Sequence, residues 1–349
     1  MVLLMGVAGS CVWEPVIEDQ PTGQVVPVKR MDVAKGGCDN ALGCMSKGQR
    51  AIEQTKWVDG YQYLAKSCQL RHGPACLLAA SIVHHVPKAH KPLSVVTLRQ
   101  RGCSYGHHDS CHALGQHHAS EGNWSGAALI YKHSCDQLHG ASCEALGNMY
   151  LSAQGVRLDF KKAHTLLTQA CAARRGGACF SLGWMAYHAR GQTQNKLLAI
   201  RMYKRGCDLN DMRACTSLGV LYERGDGVVK DEARAVGLFR RACQNREATA
   251  CDNLGLCLSQ GRGVKQDKVK ALKWFKRACD LGDANGCLDA GLSYEHNTQP
   301  NQAVRYLDKA CQLKQARACA LLSTHAHVAE DDAAKYKQLA CQYDPSCHR

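Results

Sequence analysis

Aromatic residues are scarce in this chain, at 6% with only four phenylalanines among 349 residues. Those present recur mainly at positions that read as core, so a stacking platform for nucleic-acid bases is not expected. No run of about 18 apolar residues occurs, which excludes a membrane-spanning helix by sequence. The SxxK, KTG and HExxH strings are absent, and no GxSxG serine elbow is expected, so neither an activated serine nor an open zinc site is visible. Acidic residues are few beside basic ones, 30 against 44, and the formal charge of +14 suits an acidic partner such as nucleic acid, anionic lipid or peptidoglycan without choosing among them.

Cysteine, by contrast, is abundant: 22 residues, far more than a reducing compartment usually tolerates. Eight pairs share the spacing CxxxxxxxC: Cys68 with Cys76, Cys103 with Cys111, Cys135 with Cys143, Cys171 with Cys179, Cys207 with Cys215, Cys243 with Cys251, Cys279 with Cys287, and Cys311 with Cys319. The first members stand 35, 32, 36, 36, 36, 36 and 32 residues apart, so the chain is an array of units near 36 residues. Shorter pairs, Cys38 with Cys44 and Cys341 with Cys347, bracket it, where atypical capping units belong. Cys11 and Cys257 remain.

On one continuous helix, eight residues would separate a pair by about 12 Å, beyond the roughly 7 Å that a disulfide allows. A turn is therefore expected inside each pair, and DLNDMRA before Cys215 and DLGDANG before Cys287 are turn-rich. Closing so short a loop contributes about 2–3 kcal/mol in the chain-entropy account. Metal binding is the rival reading, but an isolated pair per unit cannot fill a four-ligand site.

Aligned units read helix, loop, helix. Gly225 and Gly261 are placed to end first helices, and Asp159, Asp231 and Asp267 to cap second ones. Four residues after each second cysteine the side chain is small: Gly48, Ala80, Gly115, Gly147, Gly183, Gly219, Gly255, Gly291 and Ser323. A second small column, Ala127, Ala163, Ala199, Ala235, Ala271, Ala303 and Ala333, precedes each following pair by eight residues. The two columns are expected to face each other. Tyr131, Leu167, Tyr203, Phe239, Phe275 and Leu307, four residues further on, complete an apolar stripe.

The pattern CxxLGxxYxxGxGVxxDxxKAxxxxxxAC resembles a Sel1-like repeat, and a CxxxxxxxC pair in every unit is similar to the Helicobacter cysteine-rich protein family. The resemblance covers about residues 36–349, most faithfully 143–287, while units 44–76, 76–111 and 287–347 depart in their loops. It implies an all-α superhelical solenoid of TPR-like α/α-hairpins, each disulfide-stapled, in a periplasmic or secreted protein that binds a protein, peptide or cell-wall component on its concave face. It also implies penicillin binding or β-lactamase-type hydrolysis as an alternative function, although no catalytic residue is identified. Similar cysteine-paired units in mitochondrial intermembrane-space assembly factors give a metal or redox assembly role as a second alternative.

The start, MVLLMGVAGSC, resembles a bacterial lipobox with Cys11 as the lipidated residue and a membrane tether. It departs in having Ala8 where leucine is favoured and in lacking a basic leader. The expected organisation is residues 1–11 as signal or lipobox, 12–35 as a tether containing Pro15, Pro21 and Pro27, and 36–349 as about nine repeats.

Eleven of the 17 histidines lie between residues 72 and 139. His72, His107 and His139 share one position per repeat, a ladder whose rungs should be too far apart for a shared ion, since neighbouring helices pack about 8–10 Å apart. His108 with His112, and the doublets His84-His85 and His117-His118, are the closer groupings. No metal or other cofactor is expected. Basic residues such as Lys268, Lys270, Lys273, Lys276 and Arg277 read as solvated second-helix surface, and Cys257, where the preceding unit has Leu221, as a buried thiol.

Overall fold

The computed structural model describes residues 38–90 and 92–344. Cys11, Cys347, the first 35 residues with the lipobox and tether expected there, and the expected Cys341–Cys347 pairing lie outside what is described. Among the described residues there are 18 α-helices and no strand. Nine helical hairpins follow one another: α1 (Ala41–Glu53) with α2 (Trp57–Gln69), α3 (Gly73–Ile82) with α4 (Val95–Ser104), α5 (His108–Ser120) with α6 (Trp124–Cys135), α7 (Gly140–Ser152) with α8 (Phe160–Ala172), and α9 (Gly176–Tyr187) with α10 (Lys196–Asp208). They continue as α11 (Met212–Arg224) with α12 (Glu232–Gln244), α13 (Ala248–Gln260) with α14 (Lys268–Asp280), α15 (Ala284–His296) with α16 (Pro300–Gln312), and α17 (Ala316–Leu322) with α18 (Glu330–Tyr343). The irregular units expected at the ends are visible as short helices α3, α4 and α17, with two single 3-10 turns, Val83–His85 and Lys88–His90, between α3 and α4.

Local chemistry sets the helix ends. Asp159, Asp231 and Asp267 each accept a hydrogen bond from a backbone amide three residues on, at 2.8–2.9 Å, and so open α8, α12 and α14. Gly225 and Gly261 close α11 and α13 in the left-handed conformation, at φ 70° and 74°, where glycine has no Cβ to clash.

Nine cysteine pairs, from Cys38–Cys44 to Cys311–Cys319, are disulfide-bonded, with Cα separations of 4.4–5.1 Å. In the eight longer pairs the bond joins the end of one second helix to the start of the next first helix. The turn between them is a Schellman closure: Asp211 donates to the Gly206 carbonyl and Asn210 to that of Cys207, at 2.9 and 3.0 Å. This closure demands a left-handed residue three places after each first cysteine. Glycine fills it only at Gly106 and Gly282; Arg71, Leu138, Arg174, Asn210, Arg246 and Lys314 also stand there, at φ between 62° and 67°.

The small column behaves differently from the expectation that glycine would face alanine. A Cβ on Gly147 would sit 2.8 Å from Leu167, on Gly183 2.7 Å from Tyr203, on Gly219 2.6 Å from Phe239 and on Gly291 2.8 Å from Leu307. Each glycine is the seat for the large apolar side chain of its own hairpin's second helix. The alanines Ala163, Ala199, Ala235, Ala271 and Ala303 are buried beside them, where any larger side chain would push the helices apart.

Some basic residues read as solvated surface also have a structural task. Arg241 donates to the Cys207 carbonyl at 3.0 Å and to Asn210 Oδ1 at 2.9 Å, Arg205 donates to the Cys171 carbonyl at 3.1 Å, and Arg277 to the Gln244 carbonyl at 3.4 Å. Each guanidinium satisfies the open carbonyl end of the preceding second helix, where a cation is favoured.

Two substitutions test this architecture. Gly219→Val forces a side chain into the Phe239 ring and is expected to lower unfolding free energy by about 3 kcal/mol, read by chemical denaturation with disulfides intact. Leu138→Gly relieves the left-handed strain at an exposed turn and is expected to raise it by about 1 kcal/mol.

Candidate binding surface on the first helices

In α5, α7, α9, α11 and α13 the first helix buries the cysteine and the leucine and glycine that follow it, and turns a single stripe away from the core. Helical spacing at i, i+4, i+7 and i+11 places Arg213, Ser217, Val220 and Arg224 on that stripe in α11, Thr249, Asn253, Leu256 and Gln260 in α13, and Asn285, Asp289, Leu292 and His296 in α15. These residues are half-buried or exposed. In α9 the same positions are Ser181, which is buried and donates to Asn148 Oδ1 at 2.8 Å, and the outward Trp184 and His188. The Trp184 and His188 rings lie 4.9 Å apart, and the Arg190 guanidinium sits 5.7 Å from the Trp184 ring.

Beside the stripe runs a column of helix-opening residues, one per unit, four places after each first cysteine. It reads His72, His107, His139, Arg175, Asp211, Glu247, Asp283 and Gln315 along the chain. From Asp211 onward each side chain caps its own helix, accepting from Ala214, Ala250, Gly286 and Arg317 amides. Most members also reach the unit before: Arg175 to Glu144 at 2.8 Å, Glu247 to the Thr216 hydroxyl at 2.8 Å, Asp283 to that of Thr249 at 3.1 Å and Gln315 to Asn285 at 2.6 Å. Polar contacts between units therefore concentrate on this face, and the column changes from histidine and arginine to acid midway.

His139 of the column lies close to side chains of the preceding unit that are not themselves rungs of the ladder. His139 Nε2 lies 3.0 Å from Asp109 Oδ1 of the preceding unit, and its ring centre is 6.0 Å from that of His108 and 5.9 Å from that of His112. Asp109 reaches across from the first turn of α5, a register that helix spacing alone does not reveal. Burial, then the His139 and Arg175 charges, push His112 down to about 4. No group of three or more ligating side chains among the described residues is arranged to hold a metal ion. His84 lies 3.9 Å from His85, which stacks on Trp57 at 4.3 Å, and His117 lies 6.3 Å from His118 between ring centres.

Serine, histidine and aspartate do meet here in the order a hydrolase uses. Ser142 Oγ is 2.9 Å from His139 Nδ1, whose other nitrogen faces Asp109, and Ser110 Oγ is 2.8 Å from His107 Nδ1. Both serines are fully buried, so their hydroxyls orient the imidazoles and reach no substrate from this position. The GxSxG spacing, not expected in the sequence, occurs once at Gly102-Cys103-Ser104-Tyr105-Gly106. Ser104 ends α4, donates to the Arg101 carbonyl at 2.9 Å and follows a disulfide-bonded cysteine; no strand leads into it, so it is no strand-to-helix elbow.

The most perturbed group on this face is Asp252 in α13, one residue past Cys251. It is 5% exposed and leaves Oδ1 without a hydrogen-bond partner. Burial, then the Asp289 and Asp283 charges, raise its carboxyl to about 8, and burial raises Asp289 as well. Near neutrality the pair favours one proton, on Asp252, because a second charge beside the half-buried Asp289 is costly for a buried carboxylate. Sequence gave no sign of this pair: Asp252 and Asp289 occupy different positions in their units, and only packing of α13 on α15 joins them. Cys257 is buried with its sulfur 3.5 Å from Glu223, and burial raises the thiol to about 12, which keeps it protonated and unreactive.

The family described as Sel1 repeat matches residues 140–174, 177–211, 213–246, 248–283 and 287–314, one match for each hairpin from α7 to α16. The chain belongs to the Sel1 repeat family. Among solved structures, a Sel1 repeat protein from Oxalobacter formigenes is 24% identical with a TM-score of 0.61, over 66% of this chain and 98% of that one. The protective antigen c5321 of uropathogenic Escherichia coli, which displays an SLR fold, is 18% identical with a TM-score of 0.61, over 81% of this chain and 64% of that one. Helicobacter pylori cysteine-rich protein B is 32% identical over 37% of this chain and 93% of its own, with a TM-score of 0.32. No curated protein matches. Sel1 and other TPR-like arrays are protein-interaction scaffolds, and the many disulfides of this Sel1 chain suggest an oxidising, extracytoplasmic setting. No described helix is long and apolar enough to cross a membrane.

The Asp252–Asp289 pair gives a pH test. A carboxyl whose folded value lies above its unfolded one stabilises the fold fully in acid and loses that contribution as pH rises through the folded value. Global stability is therefore expected to fall between about pH 4 and 8, and Asp252→Asn to flatten that fall and raise the denaturation midpoint at pH 8.5. The pH dependence of chemical denaturation, wild type against variant, reads it.

Proposed function

We propose that this Sel1 chain is an exported scaffold that binds a protein or peptide along the stripe of its first helices. The supporting observation is the contrast on those helices between repeating buried columns and a stripe that differs from unit to unit: Trp184 and His188, then Arg213, Ser217 and Val220, then Thr249, Asn253 and Leu256. A repeating core carrying non-repeating surface chemistry gives each hairpin its own contact with an extended ligand. A cell-wall ligand would use the same stripe. The organisation proposed for the whole chain is a signal or lipobox at 1–11 with Cys11 lipidated, a tether at 12–35 and the repeat array at 36–349, which places the protein in the periplasm or outside the cell, tethered to a membrane. The Cys341–Cys347 bond closes the array in this reading.

β-Lactam hydrolysis is the competing activity, and the buried state of Ser110 and Ser142 weighs against it. A photo-crosslinking side chain placed at Ser217 or Asn253, tested in envelope fractions with mass-spectrometric readout, is expected to yield discrete adducts that the same group at Thr165, on the opposite face of α8, does not give. Equal adducts from both faces, or nitrocefin turnover by the disulfide-intact, contaminant-controlled protein, would overturn the proposal.

A further inference from the structure

The outward faces of three successive second helices share one pattern. Residues at i, i+4 and i+7 fall on one face of a helix, and in α10 these are Leu197, Arg201 and Lys204, in α12 Ala233, Gly237 and Arg240, and in α14 Val269, Lys273 and Lys276. All are exposed except the half-buried Lys276. The three helices are held side by side in register, because Arg241 of α12 reaches the end of α10 and Arg277 of α14 reaches the end of α12. The face thus reads as three rows across the helices: an apolar row of Leu197, Ala233 and Val269, a row of Arg201, Gly237 and Lys273, and a row of Lys204, Arg240 and Lys276.

Gly237 stands at the middle of this face without a packing reason. The glycines that seat large side chains would each drive a Cβ into a neighbour, whereas a Cβ on Gly237 would meet nothing within 4 Å. Glycine is a poor helix former, and here it brings no close approach of helices inside the molecule. What it leaves is a bare notch in the helix surface, ringed by Arg201, Lys273, Lys204, Arg240 and Lys276. None of these five cations has an ion-pair partner among the described residues, whereas Lys196, Lys230 and Lys270 at the helix openings are paired with Asp226, Glu232 and Asp267.

The apolar row is itself unusual for a solvated edge. Leu197 is 69% and Val269 74% exposed, and Val229, in the loop leading to α12, is 89% exposed. That loop lies against α10: a Cβ on Gly227 would touch Lys196 and Ile200. Large aliphatic side chains projecting beside unpaired cations form the surface that anionic bilayers attract, with aliphatic groups entering the acyl boundary and cations at the phosphates. A nucleic acid or a sulfated glycan would use the cations and leave the aliphatic row exposed.

We propose that the outer face of α10, α12 and α14 docks on an anionic phospholipid surface, with a headgroup phosphate in the notch at Gly237 and with Leu197, Val229 and Val269 entering the interface. This face is opposite the first-helix stripe, so the scaffold would lie on the membrane with its ligand-binding side free. The docking is separate from any lipid on Cys11, and it stands whether or not the ligand proposed above is a protein.

The test is vesicle co-sedimentation of the full disulfide-bonded chain carrying Cys11→Ser, which removes any lipid anchor. Vesicles of phosphatidylcholine alone are compared with vesicles containing 30% phosphatidylglycerol. Binding is expected only to the anionic vesicles, weakening with salt. It is expected to fall at least tenfold in Arg201→Gln/Lys204→Gln/Arg240→Gln/Lys273→Gln and in Gly237→Glu, and several-fold in Leu197→Ser/Val269→Ser. Lys161→Gln/Lys162→Gln on α8 should leave it unchanged, and thermal melts should show every variant folded. Equal binding to both vesicle types, no loss in the folded quadruple variant, or a patch that retains single-stranded DNA while ignoring vesicles overturns the proposal.

Discussion

The contact on which the rest of the array depends is a large apolar side chain of each second helix lying on a glycine of the first. Leu167, Tyr203, Phe239, Phe275 and Leu307 all use it. Glycine in a helix interior costs about 1 kcal/mol relative to alanine, and the return is an approach of the two backbones close enough for the side chain to be wholly enclosed, as Phe239 and Leu167 are. Because the same seat recurs in hairpin after hairpin, the interhelical distance repeats, and neighbouring units meet at a constant register.

Register between hairpins has a second source, at the turn closed by each disulfide. The Schellman closure there needs a left-handed residue, and most units supply it with a residue that has a Cβ. A strained turn is held by the covalent link beside it, by the arginine that covers the helix end, and by the capping column on the other side. Loss of the disulfide in a reducing compartment would leave that strain balanced only by hydrogen bonds, a physical reason for the density of cysteine to accompany an oxidising setting.

The two faces of the array divide the polar chemistry. First helices carry most of the buried polar groups: serines that orient imidazoles, a carboxyl pair sharing one proton, and hydroxyls bonded to caps of the next unit. Such groups fix the surface shape against which a ligand packs, because a buried polar atom tolerates little displacement from its partner. Second helices, apart from the arginines that cover helix ends, carry free cations and exposed aliphatic groups on their outer side. A ligand on one face and a charged surface on the other can be held together without competing for the same residues.

Much of this was legible in the residues alone, because repetition turns a single chain into its own alignment. The cysteine spacing, the small columns, the Asp231 and Asp267 caps and the glycine helix ends each rest on local geometry, where backbone conformation follows from residue type. Local geometry stops at the boundary of a unit. Which residue lies over Gly219, that Asp109 meets His139, that Asp252 and Asp289 share a proton, and that Arg241 closes the end of α10 all depend on contacts 20 to 37 residues apart. The sequence by itself determined the repeat, its helices and the nine cysteine pairs from Cys38–Cys44 to Cys311–Cys319. Only the tertiary structure decided which small residue receives which ring and which charges meet, because those follow from the angle and register at which one hairpin packs on the next.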